Sequence, residues 1–304
     1  MDLPCSPDHW AADSPQAWAS LTPWTTALPR GPSLRQYVRS LKTPSDHPAD
    51  ESPDQHRRLI TVYLLLRNMY SLSELHTNPI SSLVQSFNEL QQCRLNVLST
   101  LRQLVEPLSN HAVSQTLTEF ADLVHNNQII HMAIVYGLGL MSTWLYSLLR
   151  MDTRAAAKGR LKQWSMEEPG RVRQVVYHCA QTLSIVRVHP YNLHFEAFNA
   201  FHAGLILWSM IDLLPAGQDG SPTRGVCVDQ LHGEDPAADA EVSEWIHRGE
   251  PRTISLHSIP DLQGTGSRRQ VLDQTARILR RMRVPGLAKC FLNVVLDMLR
   301  HEEG

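Results

Sequence analysis

Leu161 to Pro215 reads LKQWSMEEPGRVRQVVYHCAQTLSIVRVHPYNLHFEAFNAFHAGLILWSMIDLLP, and its apolar spacing decides the fold class. Glu167 and Glu168 stand just ahead of Pro169. Carboxylates favour the positive end of a helix dipole, and proline, lacking an N–H, suits the first turn. Val172, Val175, Val176, Cys179, Leu183 and Val186 then recur every three or four residues, as on one face of a helix. His189-Pro190 breaks that helix, because proline pushes its predecessor out of helical geometry. A second helix is expected from about Asn192. Phe195, Phe198, Phe201, Leu205, Ile206, Leu207, Trp208 and Ile211 make it apolar nearly all round. Such a helix belongs at the centre of a larger packing, so Phe198 and Trp208 are both expected to be buried.

Helical periodicity continues upstream, from Gln55 to Arg150. Leu59, Val62, Leu65, Leu66 and Met69 open it. After Pro79, Leu83, Phe87, Leu90, Val97, Leu101 and Leu104 share one face up to Pro107. A third helix is expected from about Ala112 to His125, and a separate one over Ile129 to Leu149. The latter is 21 residues long and free of formal charge, which suits a bilayer span. His131, Ser142, Thr143 and Ser147 within it point instead to a core helix.

Downstream, Pro215 to Pro260 shifts to Gly, Pro and Asp. Val226-Cys227-Val228 and Thr253-Ile254-Ser255-Leu256 suit short extended pieces, and Val242, Trp245 and Ile246 suit one short helix. Ser267 and Gln270 have the spacing of a capping box ahead of Val271, Leu272, Ile278, Leu279 and Met282. Pro285 interrupts, and Leu287 to Leu299 closes the chain as a final helix.

Residues 1–54 differ in kind. They hold nine of the nineteen prolines, with Trp10, Trp18 and Trp24 in an acidic context. That density is incompatible with regular helix, so a disordered leader is expected. The chain of 304 residues is long enough for a sizeable core. Its formal charge of −2 gives no general attraction to nucleic acid or anionic membrane. Five scattered cysteines without a C-x-x-C pair suggest neither a disulfide framework nor a finger-type zinc site. No basic and apolar secretory signal opens the chain.

The segment after Trp164 resembles the regulatory domain of fungal zinc-finger transcription factors, also called the middle homology or fungal-specific transcription factor domain. The resemblance rests on Trp164, Gly170-Arg171, His178-Cys179-Ala180, Arg187-Val188-His189-Pro190, Phe195 to Phe201 and Leu207-Trp208. Val228-Asp229, Trp245-Ile246, Gly249 and Arg281-Met282-Arg283 extend it, so that it covers about Gln55 to Arg300. Ala197 departs from the family, which usually has proline there. The resemblance implies an all-α regulatory domain over 55–303, a role in transcription regulation and a nuclear location. It also implies association with other transcription regulators or a second copy of the chain, and leaves room for a small-molecule effector. Before residue 55 the one cysteine is Cys5, so nothing there ligates zinc. DNA contact is therefore expected to be indirect or weak. A shortened paralogue, a gene model without its first exons and a cofactor of an intact regulator all fit that reading.

Other chemistries find little support. His178, His189, His194 and His202 are the densest of fifteen histidines, but His194 and His202 are eight apart and no carboxylate pair completes a metal set. An isoprenoid cyclase needs clustered carboxylates for magnesium; there is no D-D-x-x-D, Asp235 and Asp239 lie in a proline-containing loop, and Asn110, Ser114 and Glu119 miss the second motif by one residue. Gly264-Thr265-Gly266-Ser267 lacks a preceding strong strand and a Walker lysine, with Arg268 in its place. Arg268, Arg269, Arg277, Arg280, Arg281 and Arg283 read as the solvated face of an amphipathic helix, and no G-x-S-x-G elbow exists. The expectation is a non-enzyme with no catalytic, cofactor or metal residues. The alternative is an all-α enzyme or small-molecule-binding protein with an apolar pocket.

Overall fold

Helices make up nearly all the regular structure in the computed structural model, which describes residues 13–14, 16–17, 55–77, 87–108, 117–139, 141–215, 225–284 and 286–302. In chain order they are α1 (Gln55–Thr77), α2 (Phe87–Gln103), α3 (Leu117–Leu138), α4 (Met141–Leu149), α5 (Arg154–Glu167), α6 (Pro169–Val188), α7 (His194–Met210), α8 (Pro236–Arg248), α9 (Ser267–Arg281) and α10 (Leu287–His301). Two short parallel strands, β1 (Val226–Cys227) and β2 (Ile254–Ser255), pair Val226 with Ile254. The protein is all-α.

The chain divides into two compact units, Met1–Leu65 and Leu66–Gly304. In the first, the described residues form the opening of α1 and a local contact in which the Ala17 N–H donates to Ser14 Oγ at 3.1 Å. The expected leader over 1–54, with Trp10, Trp18 and Trp24, otherwise lies outside the described residues, as do Leu83 and the segment from Ala112 to residue 116.

Within the second unit, α7 is the hub. It packs against α3, α4, α6, α9 and α10. Every residue from Asn199 to Met210 is buried, as an all-round apolar helix requires. Its partner α6 starts where the acidic pair and Pro169 place it. Glu168 is extended at the N-cap and Pro169 occupies the first turn. Glu196 then fixes the entry to α7: its carboxylate accepts the N–H groups of Leu193 at 3.1 Å and Tyr191 at 3.2 Å. Trp208 is buried, but Phe198 is 39% exposed, contrary to expectation. Its ring packs on His202 of the same helix at 3.9 Å between centroids and meets Phe291 of α10 edge to face at 6.4 Å, which leaves part of it open.

Two boundaries also differ from expectation. The polar run Asn126-Asn127-Gln128 does not break a helix; α3 runs straight through it. Asn127 is buried and bonds both the N–H and the C=O of Glu106, while Gln128 donates to Glu196 at 3.2 Å. The Asn127 amide is thus satisfied by tertiary partners and tolerates burial, whereas the Gln128 oxygen has no partner among the described residues. The break falls instead after Leu138, around Gly139, and divides the apolar run into α3 and α4. Among the described residues no helix is long and apolar enough to cross a membrane. At α9 the helix starts one residue early. Gly266, at φ 82°, is the N-cap, and Ser267 is the first helical residue, buried rather than capping. Glycine alone adopts that left-handed turn freely, so the turn at Gly264–Gly266 displaces the expected capping box.

Candidate functional site

The histidines singled out by density do not converge. His178 is buried on α6 against His131 of α3, Nδ1 to Nδ1 at 2.8 Å. His189 meets Phe120 edge to face at 5.2 Å. His202 is buried on α7, where its Nδ1 faces the Phe198 carbonyl at 2.8 Å and its Nε2 faces the Tyr146 hydroxyl at 2.6 Å. The backbone contact places the proton on Nδ1, so Tyr146 donates to Nε2. His194 is exposed. Among the described residues no group of three His, Cys, Asp or Glu side chains is placed to hold a metal ion.

Nor do the arginines of α9 form one open patch. Arg268 lies 4.3 Å above the Trp208 ring and pairs with Asp212 and Glu302, and Arg277 pairs with Asp273 at 2.6 Å. The Gly264–Ser267 loop closes on itself through the Ser267 N–H to the Gly264 carbonyl at 3.2 Å.

Two clefts remain as candidates. The first, about 330 Å³, lies between α6, α8 and the end of α2. His131 and His178 line it with Tyr177, Arg102, His232 and Asp239. Burial, reinforced by His232, pulls His131 down to about 3. Burial, then His131, Arg102 and His232, holds His178 well below its usual range. Both rings are therefore neutral at physiological pH, one donating and the other accepting. His232 Nδ1 sits 3.1 Å from Asp239 Oδ2, which also accepts the Gly233 N–H at 2.8 Å. A His–Asp pair beside a cleft invites a catalytic reading. However, among the described residues no hydroxyl or thiol of this cleft hydrogen-bonds a histidine ring, so no activated nucleophile is assembled.

The second cavity, about 420 Å³, is enclosed by α1 to α6 and lies within the second unit. Met69, Leu72 and Leu90 supply an apolar wall, and Trp144, Trp164 and Tyr136 an aromatic one. Arg94, Arg160, Arg171 and Glu167 supply the charged part of the lining. Arg94 donates Nε to the Gly137 carbonyl at 2.8 Å, which caps the end of α3 and fixes the guanidinium fork. Arg171 is held by Glu168 at 2.6 Å and Glu167 at 3.5 Å. The indole nitrogens of Trp144 and Trp164 are both buried without an acceptor among the described residues. Burial, then Tyr146, Cys179 and Tyr70, raises the Tyr136 phenol, which stays protonated and a donor.

Trp164 and Arg171 enter the sequence reading only as the Trp and the Gly-Arg step of the resemblance, not as site residues. Arg94, Tyr136 and Trp144 were not legible. They come from three different helices and carry no local motif; only the packing of α2, α3 and α4 brings them together. No family model, no curated protein and no solved structure matches this chain.

Proposed function

We propose that the chain is a non-enzymatic transcription regulator that acts in the nucleus through its helical domain, with sequence-specific DNA reading supplied by another protein. The observation that carries this reading is the meeting of residues on which the family resemblance rests. Arg187, from the Arg-x-x-Pro break, pairs with Asp229, from the downstream Val-Asp step, at 2.8 Å. Separate pieces of one motif set thus form one structural joint, as pieces of a shared fold would. The partners are other regulators or a second copy of the chain, and a net charge of −2 favours only weak, salt-sensitive contact with DNA.

The test is to fuse the full chain to a heterologous DNA-binding domain upstream of a reporter. Activation or repression of the reporter is expected, altered when residues 1–54 are deleted. An intact, nuclear fusion that leaves the reporter unchanged overturns the reading. A footprint of the purified chain at one defined sequence, persisting at moderate salt, overturns the indirect route to DNA.

A second reading, a small-molecule-binding protein, is favoured by the 420 Å³ cavity, with its apolar and aromatic walls and the Arg94 fork. Cavities of about 300–1,000 Å³ with apolar walls and a few convergent polar groups are the usual form of ligand sites. The two readings are compatible, since a regulator can carry an effector site.

A further inference from the structure

We infer that the cavity enclosed by α1 to α6 is a receptor site for a small amphipathic anion, a flat apolar or aromatic body bearing one carboxylate. The inference rests on the small-molecule-binding reading and names the ligand class for that cavity. Its walls divide by chemistry. Met69, Leu72 and Leu90 offer contacts to an apolar body, and Trp144 and Trp164 offer ring faces and edges. The charged groups of the lining are three arginines and one carboxylate, Glu167.

Arg94 is the anchor. Its Nε is committed to the Gly137 carbonyl, and its terminal nitrogens make no hydrogen bond to a described residue. A guanidinium held by one edge presents a fixed fork, the geometry that matches a carboxylate with two parallel bonds. Arg171 sits near enough to disfavour the charge on Arg94, after burial itself, while Glu168 and Glu167 act in the opposite sense. An anion between the two cations relieves that repulsion, whereas a cationic ligand adds to it.

The two indoles shape the rest of the wall. Trp144 is 2% exposed, and the Nε1 atoms of Trp144 and Trp164 are closed off by the surrounding protein, without an acceptor among the described residues. The ring faces and edges, rather than the N–H groups, are therefore what the indoles offer to a flat body in the cavity. Gly137 and Gly139 leave backbone in the wall where a larger residue would reduce the space; at Gly137 a Cβ would come within 2.6 Å of Met69 Cε.

The experiment uses the full chain and two probes of one shape, 2-naphthoate and its neutral counterpart 2-naphthalenemethanol. Calorimetric titration gives the affinities, and the side-chain N–H resonances of Trp144 and Trp164, assigned with Trp144→Phe and Trp164→Phe, report the place. The acid is expected to bind saturably, at least about tenfold more tightly than the alcohol. Both indole resonances should shift. Arg94→Met should remove most of the preference for the acid. Because Arg94 also caps α3, Arg171→Met serves as the second variant and should reduce the preference, titrated well below that variant's own melt. Equal affinity for acid and alcohol overturns the anion assignment and leaves small-molecule binding standing. Saturable binding of neither probe to a normally melting chain overturns both. Binding of the acid that leaves the two indoles and both arginine variants unaffected places it elsewhere and also overturns the inference.

Discussion

Arg187 at the end of α6 and Asp229 just after β1 form an ion pair of 2.8 Å across 42 positions of sequence. The Asp229 side chain is 2% exposed, so this is an interior joint rather than a surface contact. Its second oxygen, Oδ1, accepts the His257 N–H at 2.7 Å and the Cys227 S–H at 3.3 Å. One carboxylate thereby ties the end of α6 to β1 and to the turn that follows β2. The β1–β2 pair is too short to be stable alone, and Asp229 supplies what its few ladder bonds cannot.

Asp229→Ala is therefore expected to lower stability by about 3–5 kcal/mol, because it leaves the Arg187 charge and two donors without their partner. Asp229→Asn keeps the shape and should cost less. Denaturant midpoints of the two variants check this. An Asp229→Ala midpoint equal to that of the parent would show that solvent replaces the carboxylate.

Gly204 of α7 faces Thr275 of α9 at the crossing of the two helices. A methyl at Gly204 would lie 2.6 Å from Thr275 Cγ2 and would overlap Oγ1 as well. Thr275 is itself buried, with its hydroxyl on the Val271 carbonyl at 2.8 Å, so it has little room to withdraw. Gly204→Ala should destabilise by about 1–3 kcal/mol through overpacking, although alanine is the better helix former. Adding Thr275→Ala should recover part of the loss. If the double variant is no more stable than Gly204→Ala alone, the two helices are not held apart at this contact.

Much of the helical order was legible because periodicity, proline and the acidic pair agreed with one another. Pro169 and His189-Pro190 bracket α6 as expected, and the apolar run after Asn192 became the hub α7. The sequence misled where tertiary partners overrode a local signal. The run Asn126-Asn127-Gln128 looks like a loop until Glu106 is there to receive Asn127 and Glu196 to receive Gln128. Ser267 looks like a cap until Gly266 takes the left-handed turn. Phe198 was assigned to the core by composition, but burial depends on which flank of α7 its neighbours leave open. The 420 Å³ cavity was legible least of all, since its anchor Arg94 is a single arginine on an ordinary amphipathic helix.

Trp208 closes the other side of the hub. It is 4% exposed, donates Nε1 to Glu302 at 3.0 Å and carries Arg268 above its ring. Trp208→Ala should cost roughly 3–5 kcal/mol, from lost burial and an unfilled space. Trp208→Phe retains most of the apolar contact and should lose far less. Thermal or denaturant unfolding distinguishes the two. An unchanged midpoint for Trp208→Ala would mean that α10 and the α7 terminus do not pack as described.

Acid should weaken the fold well above the carboxylate range. Burial is the largest cause of a lowered value at His125, His131, His178, His189 and His202, so these rings fold in the neutral form. The sign follows from proton uptake. An unfolded histidine binds a proton near pH 6.5, while the folded His131 does so only at about 3. Between those values the unfolded state holds more protons, so stability falls as pH falls through the window and is unaffected above it. For His131 alone the loss is about 2 kcal/mol by pH 5, since each unit is worth about 1.4 kcal/mol. Guanidinium midpoints at pH 8, 7, 6 and 5 should fall progressively below pH 6.5. His131→Gln, which offers His178 a hydrogen-bond partner without titrating, should start from a lower midpoint but show a shallower fall. A parent midpoint that is flat from pH 8 to pH 5 would mean that the His131–His178 pair is open to water and not buried as described.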